Sequence, residues 1–163
     1  LGARLFGRRR RLCTVELTAD GGVAELVPRW YHAAIAANDE VPLLAACPDH
    51  WIFRSHPDGA QEVIETTGGA PLAVRMFFDS SDLATLVTAE DDTFPTQWAG
   101  VARNADGAPL GGIRHQFRDA ACGFRVRLTV EFPVTTPPFM IAAHQWHLAC
   151  EFSNWIEAAN GAG

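Results

Sequence analysis

Alternating apolar and polar residues are the clearest pattern in this chain, and they mark three strands in its second half. Residues 96–104, 109–118 and 123–132 each alternate, and sequences rich in Asn, Asp and Gly separate them. Such sequences form hairpin turns, so the three segments are predicted to make an antiparallel meander. Because successive side chains of a strand point to opposite faces, the inward-facing set of the last strand is predicted to be Val126, Leu128, Val130 and Phe132. The outward-facing set is predicted to be Arg125, Arg127, Thr129 and Glu131.

The middle strand of this meander places a histidine on the inward face. Alternation turns His115 inward between Ile113 and Phe117. A histidine in that position can donate, accept or transfer a proton near neutral pH. A buried structural histidine, bonded to a backbone carbonyl or to Tyr31, fits the same pattern. The same alternation predicts that the polar side chains of Arg114, Gln116 and Arg118 point outward.

The first half of the chain mixes strand and helix patterns. Residues 11–18 alternate as a strand, and residues 23–37 carry apolar side chains at helical spacing. A short helix is predicted over 39–47, with Asp39 as its N-cap, and a strand is predicted over 50–55. Asp49, His50 and His56 flank this strand and are predicted to be exposed polar side chains at its ends, although His50 and His56 could also reach the rim of a pocket.

The middle and the end of the chain complete the predicted elements. Residues 61–66 look extended, and a turn is predicted over 66–71. The segment 71–88 fits either a strand or two helical pieces, since periodicity alone does not decide the structure of short apolar runs. Residues 139–157 are predicted to form a long amphipathic helix, whose many aromatic residues suit core packing together with a dimer contact or a pocket lid.

Composition and charge restrict the class of protein. With 163 residues, 48% of them hydrophobic, and no apolar run of membrane-spanning length, the chain is predicted to form one globular domain over 13–160. A basic arm over 1–12 precedes it, and its four arginines at 8–11 fit either a solvated arm or a contact with an anionic partner. The net charge of −6 argues against general nucleic-acid binding. Four cysteines without CxxC spacing, and no visible signal peptide, predict reduced thiols in a cytoplasmic protein.

The stretch from Trp30 to Gly59 resembles the opening of the nuclear-transport-factor-2-like superfamily, which includes ketosteroid isomerases and related polyketide cyclases. The matching residues are Tyr31 with the alanines after it, Ala37-Asn38-Asp39, Leu43-Leu44, Pro48-Asp49 and the strand WIFRS. Further along, Gly69 with the AVRMFF that follows it resembles the third helix of that fold, and IRHQFRD with FRVRLTVEF resembles its closing hairpin. The resemblance implies an α+β cone, in which a curved antiparallel sheet wraps around helices. The first strand and the C-terminal helix would be additions to that cone.

The resemblance also bears on the candidate site. Tyr31 stands where ketosteroid isomerases place their oxyanion-binding tyrosine. Their general-base aspartate would fall at Ser55, and their second oxyanion carboxylate would fall near Arg114 or His115. An isomerase mechanism of that type therefore lacks its base in this chain.

A second fold uses the same elements. The order of a strand, two helices, antiparallel strands and a long C-terminal helix is that of the helix-grip fold, found in START-like and aromatic-cyclase proteins. This fold accounts better for both ends of the chain and less well for the pattern from Trp30 to Gly59. Both folds enclose an apolar cavity, so a pocket is predicted in either case.

One polar set on the C-terminal helix is a candidate metal site. His144, His147 and Glu151 lie at i, i+3 and i+7, so they share a face of the helix. Zinc-binding histidines on one helix usually lie at i and i+4, and the HExxH motif is absent. The set is therefore predicted to be a solvated polar face, and neither a metal nor another cofactor is predicted.

These patterns predict a small-molecule-binding protein and leave two functions open. In the first, the protein is an isomerase, cyclase or dehydratase acting on an apolar or aromatic metabolite, with Tyr31 polarising an oxygen and His115 moving a proton. In the second, it is a non-catalytic ligand carrier or a dimerising interaction module, and a homodimer is expected in either case. The predicted ligand-binding side chains are Trp30, Phe53, Met76, Trp98, Phe117 and Trp146.

Overall fold

Seven strands and three helices make up the part of the chain that the computed structural model describes, which is residues 9–47, 49–66 and 73–162. The strands are β1 (Arg10–Asp20), β2 (His50–Ser55), β3 (Gln61–Glu65), β4 (Val74–Asp79), β5 (Thr96–Arg103), β6 (Pro109–Ala120) and β7 (Gly123–Pro133). The helices are α1 (Leu26–Ala37), α2 (Glu40–Ala46) and α3 (Pro138–Gly161).

The strands form one antiparallel sheet in the order β1-β7-β6-β5-β4-β3-β2. β5, β6 and β7 make the predicted meander, and its register sets His115 opposite Trp98 on one side and Leu128 on the other. β1 pairs with β7 along its whole length, from Arg10 to Asp20. The strands predicted from alternation are confirmed, and their bounds move by two residues or fewer.

Hydrogen bonds and backbone conformation mark the ends of the two short helices. α1 begins at Leu26, three residues later than predicted, and the amide of Ala24 ahead of it bonds to the side chain of Asp119 at 2.7 Å. Its last residue is Ala37, and the C-cap residue Asn38 adopts a left-handed conformation with φ of 50°. The carboxylate of Asp39 accepts from the amide of Val41 at 3.2 Å and caps α2, as predicted. None of the helices in the described ranges has the length and apolar character to cross a membrane.

The long helix α3 packs on one face of the sheet, called the inner face here, and this arrangement decides the fold. Its buried side chains include Leu148, Phe152 and Trp155, and the ring of Phe152 lies 4.9 Å from that of His115 on β6. Cys13 and Ala19 of β1 belong to the same core, so both β1 and α3 are integral to it. The predicted cone, to which these two elements would be additions, is wrong, and the order of elements is that of the helix-grip fold.

The ambiguous segment 71–88 contains a single short strand among its described residues. Residues 74–79 form β4, and the second helical piece does not form, because residues 80–95 run as bends and turns. Residues 71–72, most of the predicted turn over 66–71, and residues 1–8 of the predicted basic arm lie outside the described residues. Within that arm, Arg10 and Arg11 already belong to β1.

Residues 80–95, the outer-face loop, cover the outer side of the meander. Glu131 on β7 accepts from the amides of Val87 and Thr88 at 2.8 and 2.6 Å, and Arg114 on β6 donates to the carbonyl of Thr88 at 3.1 Å. The alternation of these strands is as predicted. The loop, however, buries several of the outward-facing side chains, which are Arg114, Gln116, Thr129 and Glu131.

Candidate functional site

A cavity of about 260 Å³ lies between the inner face of the sheet and helices α1 and α3. Aromatic and aliphatic side chains supply most of its wall. Among them are Phe53, Val63, Met76, Phe78, Trp98, Ile113, Val130, Phe132, Met140, Leu148, Phe152 and Trp155. Val130 and Phe132 are only half-buried because they face this space, whereas Val126 and Leu128 of the same strand are fully buried.

The structure brings five of the predicted site residues to this cavity. They are Tyr31, Phe53, Met76, Trp98 and His115.

Three predicted ligand-binding residues do not line it. Phe117 is fully buried in the core, and Trp30 packs against Trp155 with ring centroids 6.0 Å apart. Trp146 is 75% exposed, because it precedes the inward-facing His147 by one residue and so points to a different side of α3.

Tyr31 is held rigidly in the cavity wall. Its hydroxyl donates to Oε1 of Gln61 at 2.6 Å, and its ring stacks on Trp98 with centroids 4.7 Å apart. Burial raises the pKa of the Tyr31 hydroxyl, and the charge of Glu151 adds to this effect. Tyr31 is therefore a neutral group whose proton is directed at Gln61.

His115 is enclosed by aromatic rings. Its imidazole lies edge-on to Phe152 at 4.9 Å and to Trp98 at 5.6 Å. Burial lowers the pKa of His115 to about 3, so the ring is neutral at pH 7. Among the described residues, Nδ1 of His115 has no hydrogen-bond partner, and this nitrogen is fully buried.

A buried group of ionisable side chains forms another part of the wall. This polar cluster consists of His50, Glu65, His144, His147 and Glu151. The prediction that the histidines and glutamate of α3 form a solvated polar face is wrong, as is the prediction that His50 is exposed. The helix sequence contains a usable signal, because Leu148, Phe152 and Trp155 continue the same stripe and mark it as the core-facing side.

Short contacts connect the members of the polar cluster. Nε2 of His50 lies 2.7 Å from Oε2 of Glu65, and Nδ1 of His50 lies 3.7 Å from Oε1 of Glu151. Nε2 of His147 lies 3.6 Å from Oε2 of Glu151. The rings of His144 and His147 stack with centroids 4.9 Å apart. One continuous cluster is therefore formed by side chains from three elements, β2, β3 and α3.

Two neighbours extend the polar cluster toward the surface. Nδ1 of His147 lies 3.2 Å from Oδ2 of Asp49, whose side chain is half exposed. Nε2 of His147 lies 3.9 Å from Sγ of Cys47, which is buried at the end of α2. Both neighbours come from the short connection between α2 and β2.

Burial and charge act against each other inside the polar cluster. Burial acts to raise the pKa of Glu65, but the hydrogen bond and charge of His50 outweigh it and bring this pKa down to about 2. Burial acts to lower the pKa of His147, but Cys47 and Glu151 raise it to about 9. For His144, burial dominates and lowers the pKa to about 4. The wall thus holds an ionised His50–Glu65 pair beside neutral and charged imidazoles.

Comparison with known proteins identifies the fold. Neither a protein-family model nor a curated protein sequence matches the chain. The crystal structure of Ara h 8.0201 is similar, with a TM-score of 0.55, 12% identity, and coverage of 93% of this chain and 99% of that one. An uncharacterised protein from Rhizobium leguminosarum is also similar, with a TM-score of 0.52, 11% identity, and coverage of 93% and 95%.

At these identities the likeness shows the fold alone. It is the START/Bet v 1-like helix-grip fold, with a seven-stranded antiparallel sheet in the described residues and a long C-terminal helix. The resemblance to the nuclear-transport-factor-2-like superfamily is therefore wrong. The features taken for that superfamily were mainly apolar positions that form helices and strands, and two unrelated folds can share those.

Proposed function

We propose that this protein binds a small, mainly apolar or aromatic molecule inside the cavity between α3 and the inner face of the sheet. The observation that carries the proposal is the wall itself, which joins aromatic surface to the polar cluster in a space of about 260 Å³. Ligand sites in proteins commonly combine apolar walls with a few placed polar groups. The fold, shared with the helix-grip structures, is compatible with such a role.

The cavity limits the size and character of the ligand. Its volume is slightly below the roughly 300–1,000 Å³ of typical ligand pockets, so we expect a molecule of about one or two rings. Burying the apolar surface of such a ligand contributes roughly 25 cal/mol per Å². Nδ1 of His115 and Nε1 of Trp155 are buried and have no hydrogen-bond partner among the described residues. Both nitrogens are closed off by surrounding atoms, so a ligand hydroxyl or carbonyl would bond to either one only after neighbouring side chains move.

Acid/base catalysis on the bound molecule is a second candidate function. It is favoured by the position of Tyr31 and His115, which line the same cavity and both contact Trp98. Tyr31 would exchange its hydrogen bond to Gln61 for one to a ligand oxygen and so polarise it, and His115 would move a proton, in an isomerisation, cyclisation or dehydration. Because His115 is neutral at pH 7, it would accept the proton in the first step. The binding function does not depend on this chemistry.

A titration with a defined aromatic probe tests the binding proposal. We expect 1-naphthol to bind wild-type protein saturably and with one site per chain, measured by isothermal titration calorimetry. Val130→Trp and Met76→Trp place a large ring in the cavity, so each should abolish binding while the variant still melts cooperatively. Val41→Trp is the matched control, since Val41 is 75% exposed on α2 and does not line the cavity.

Two results would contradict the proposal. One is saturable binding that survives both cavity-filling substitutions. The other is no binding of 1-naphthol together with no co-purified small molecule when the protein is examined by native mass spectrometry.

A further inference from the structure

Four side chains with different metal-binding atoms meet beside the cavity. They are Cys47 at the end of α2, His50 at the start of β2, and His147 and Glu151 on α3, and all four are buried. One ligand atom from each lies within 4.8 Å of the others. Burying a thiol, two imidazoles and a carboxylate together costs free energy unless these groups are paired or bind an ion. Packing alone therefore does not account for their position.

The orientation of both imidazoles is set by carboxylates outside this group. Nε2 of His50 bonds to Glu65 at 2.7 Å, which turns its Nδ1 toward Glu151 at 3.7 Å. Nδ1 of His147 bonds to Asp49 at 3.2 Å, which turns its Nε2 toward Glu151 and Cys47. In metal sites, the second nitrogen of a ligating histidine is typically bonded to a carboxylate or carbonyl in this way, which fixes the ring and its tautomer.

The spacing of the four atoms suits a small tetrahedral ion. Zinc bonds are about 2.0–2.1 Å to nitrogen and about 2.3 Å to sulfur, so the edges of its tetrahedron measure roughly 3.3–3.8 Å. Nε2 of His147 lies 3.6 Å from Oε2 of Glu151 and 3.9 Å from Sγ of Cys47, and Nδ1 of His50 lies 3.7 Å from the other oxygen of Glu151, Oε1. These three distances are close to the edges of such a tetrahedron, and the remaining ones lie within 4.8 Å.

We propose that Cys47, His50, His147 and Glu151 form a binding site for a divalent transition-metal ion, with Zn²⁺ as the best match. Thiolate and imidazole donors select zinc and similar ions over Mg²⁺ and Ca²⁺, which prefer oxygen. Three of the four ligands also line the cavity, so the ion would lie in its wall. It would join α2, β2 and α3 by direct bonds.

A second combination of donors is less suitable. Glu65, His144 and His147 also lie close enough together to share an ion. Glu65, however, is already bonded to His50 at 2.7 Å, and His147 belongs to both sets. An ion held by the set containing Cys47 leaves in place the bonds from His50 to Glu65 and from His147 to Asp49. An ion held by the set containing Glu65 would compete with the bond from His50 to Glu65.

Cobalt titration of chelator-treated protein tests the site, since Co²⁺ replaces Zn²⁺ and absorbs visible light. We expect one Co²⁺ per chain, intense visible bands of a tetrahedral ion, and a thiolate-to-cobalt band in the near ultraviolet. Zn²⁺ should remove all of these bands and raise the melting temperature. Cys47→Ser should abolish the thiolate band and lower affinity at least 10-fold, and Glu65→Gln should lower affinity by about 10–100-fold.

Matched controls separate this site from incidental binding. Cys150→Ser changes an exposed thiol on the outside of α3, and His56→Gln changes a histidine bonded to Glu62, so both should leave the spectrum unchanged. The proposal is overturned if wild-type protein gives no tetrahedral bands, or if Cys47→Ser and wild type give the same spectrum. Binding of 1-naphthol to metal-free protein is measured separately, so failure of the metal site and failure of the binding function are distinguishable.

Discussion

His50 and Glu65 lie directly opposite each other on β2 and β3, and Nε2 of His50 is 2.7 Å from Oε2 of Glu65. Both side chains are buried, so each supplies the opposite charge that keeps the other ionised in the interior. Removing one member of such a pair leaves an uncompensated buried charge. The pair therefore contributes both to the stability of the fold and to the geometry of the polar cluster.

Substitution of this glutamate tests how strongly the pair contributes. We expect Glu65→Ala to lower the free energy of unfolding by about 3–5 kcal/mol, measured by urea denaturation in the presence of a chelator. Glu65→Gln keeps an acceptor for His50 and should cost less. Glu16→Ala is the control, since Glu16 pairs with Arg127 at the surface and exposed pairs contribute about 0–1 kcal/mol. Equal losses for the alanine substitutions at Glu65 and Glu16 would refute the prediction.

His115 should make the stability of the protein depend on pH. Its pKa is about 3 in the folded chain, against an ordinary value of 6.5, so between these values the unfolded state binds a proton that the folded state does not. Stability from this residue is therefore fully present above pH 6.5 and is lost as the pH falls toward 3. The slope approaches about 1.4 kcal/mol per pH unit for one such group. His144 on α3 faces His115, and its charge would act in the same direction.

Denaturation at several pH values measures this effect. We expect His115→Gln to flatten the decline in stability between pH 6.5 and 4 relative to wild type. The difference between the two proteins at pH 8 reports only packing and serves as the internal control. An unchanged slope in His115→Gln would show that folding does not shift the pKa of His115.

Much of the sheet could be predicted because its information is local. β5, β6 and β7 alternate with a period of two and are joined by short turns, so the inward position of His115 follows from sequence. The edge position of β1 could not be inferred in this way. It depends on pairing with β7, more than a hundred residues away along the chain. That pairing distinguishes the helix-grip fold from the predicted cone.

The polar cluster was missed for two physical reasons. His50 is buried because strand register sets it opposite Glu65, and sequence does not reveal register between β2 and β3. On α3, aromatic residues occur on more than one side, and they obscure the core-facing stripe that Leu148, Phe152 and Trp155 mark. Phe139 and Trp146 are exposed, whereas Phe152 is buried beside the histidines of the same helix.

Glu131 should be one of the side chains that hold the outer-face loop, together with Arg114 and Arg127. Glu131 accepts from the amides of Val87 and Thr88, and hydrogen bonds to charged groups contribute about 1.5–3 kcal/mol each. We expect Glu131→Ala to lower the free energy of unfolding by at least about 1.5 kcal/mol and to speed hydrogen exchange at these two amides. Glu131→Gln keeps an acceptor oxygen and should have a smaller effect. If exchange at Val87 and Thr88 does not change in the alanine variant, Glu131 does not hold the loop.

Two aromatic residues of α3 should differ sharply in their importance. Phe152 is 1% exposed and touches His115 and Trp98, whereas Trp146 is 75% exposed. Truncating a buried phenylalanine typically costs about 3–5 kcal/mol, and an exposed substitution changes stability by about 0.5 kcal/mol or less. We therefore expect Phe152→Ala to lower the melting temperature strongly and Trp146→Ala to leave it nearly unchanged.

Deleting the chain from Pro137 onward should leave insoluble or molten protein, because the sheet would lose the helix that its inner face packs against.

Two measurements distinguish the possible outcomes of the deletion and the two substitutions. Near-ultraviolet circular dichroism reports fixed aromatic packing, and size-exclusion chromatography reports oligomeric mass. A soluble deletion variant with unchanged melting temperature would show that α3 is an accessory, contrary to its buried contacts. A large effect of Trp146→Ala together with a change in oligomeric mass would instead show that this exposed ring is covered in a homodimer. Unchanged mass with a large loss of stability would contradict the position of Trp146 on the outside of the helix, since an exposed side chain has little packing to lose.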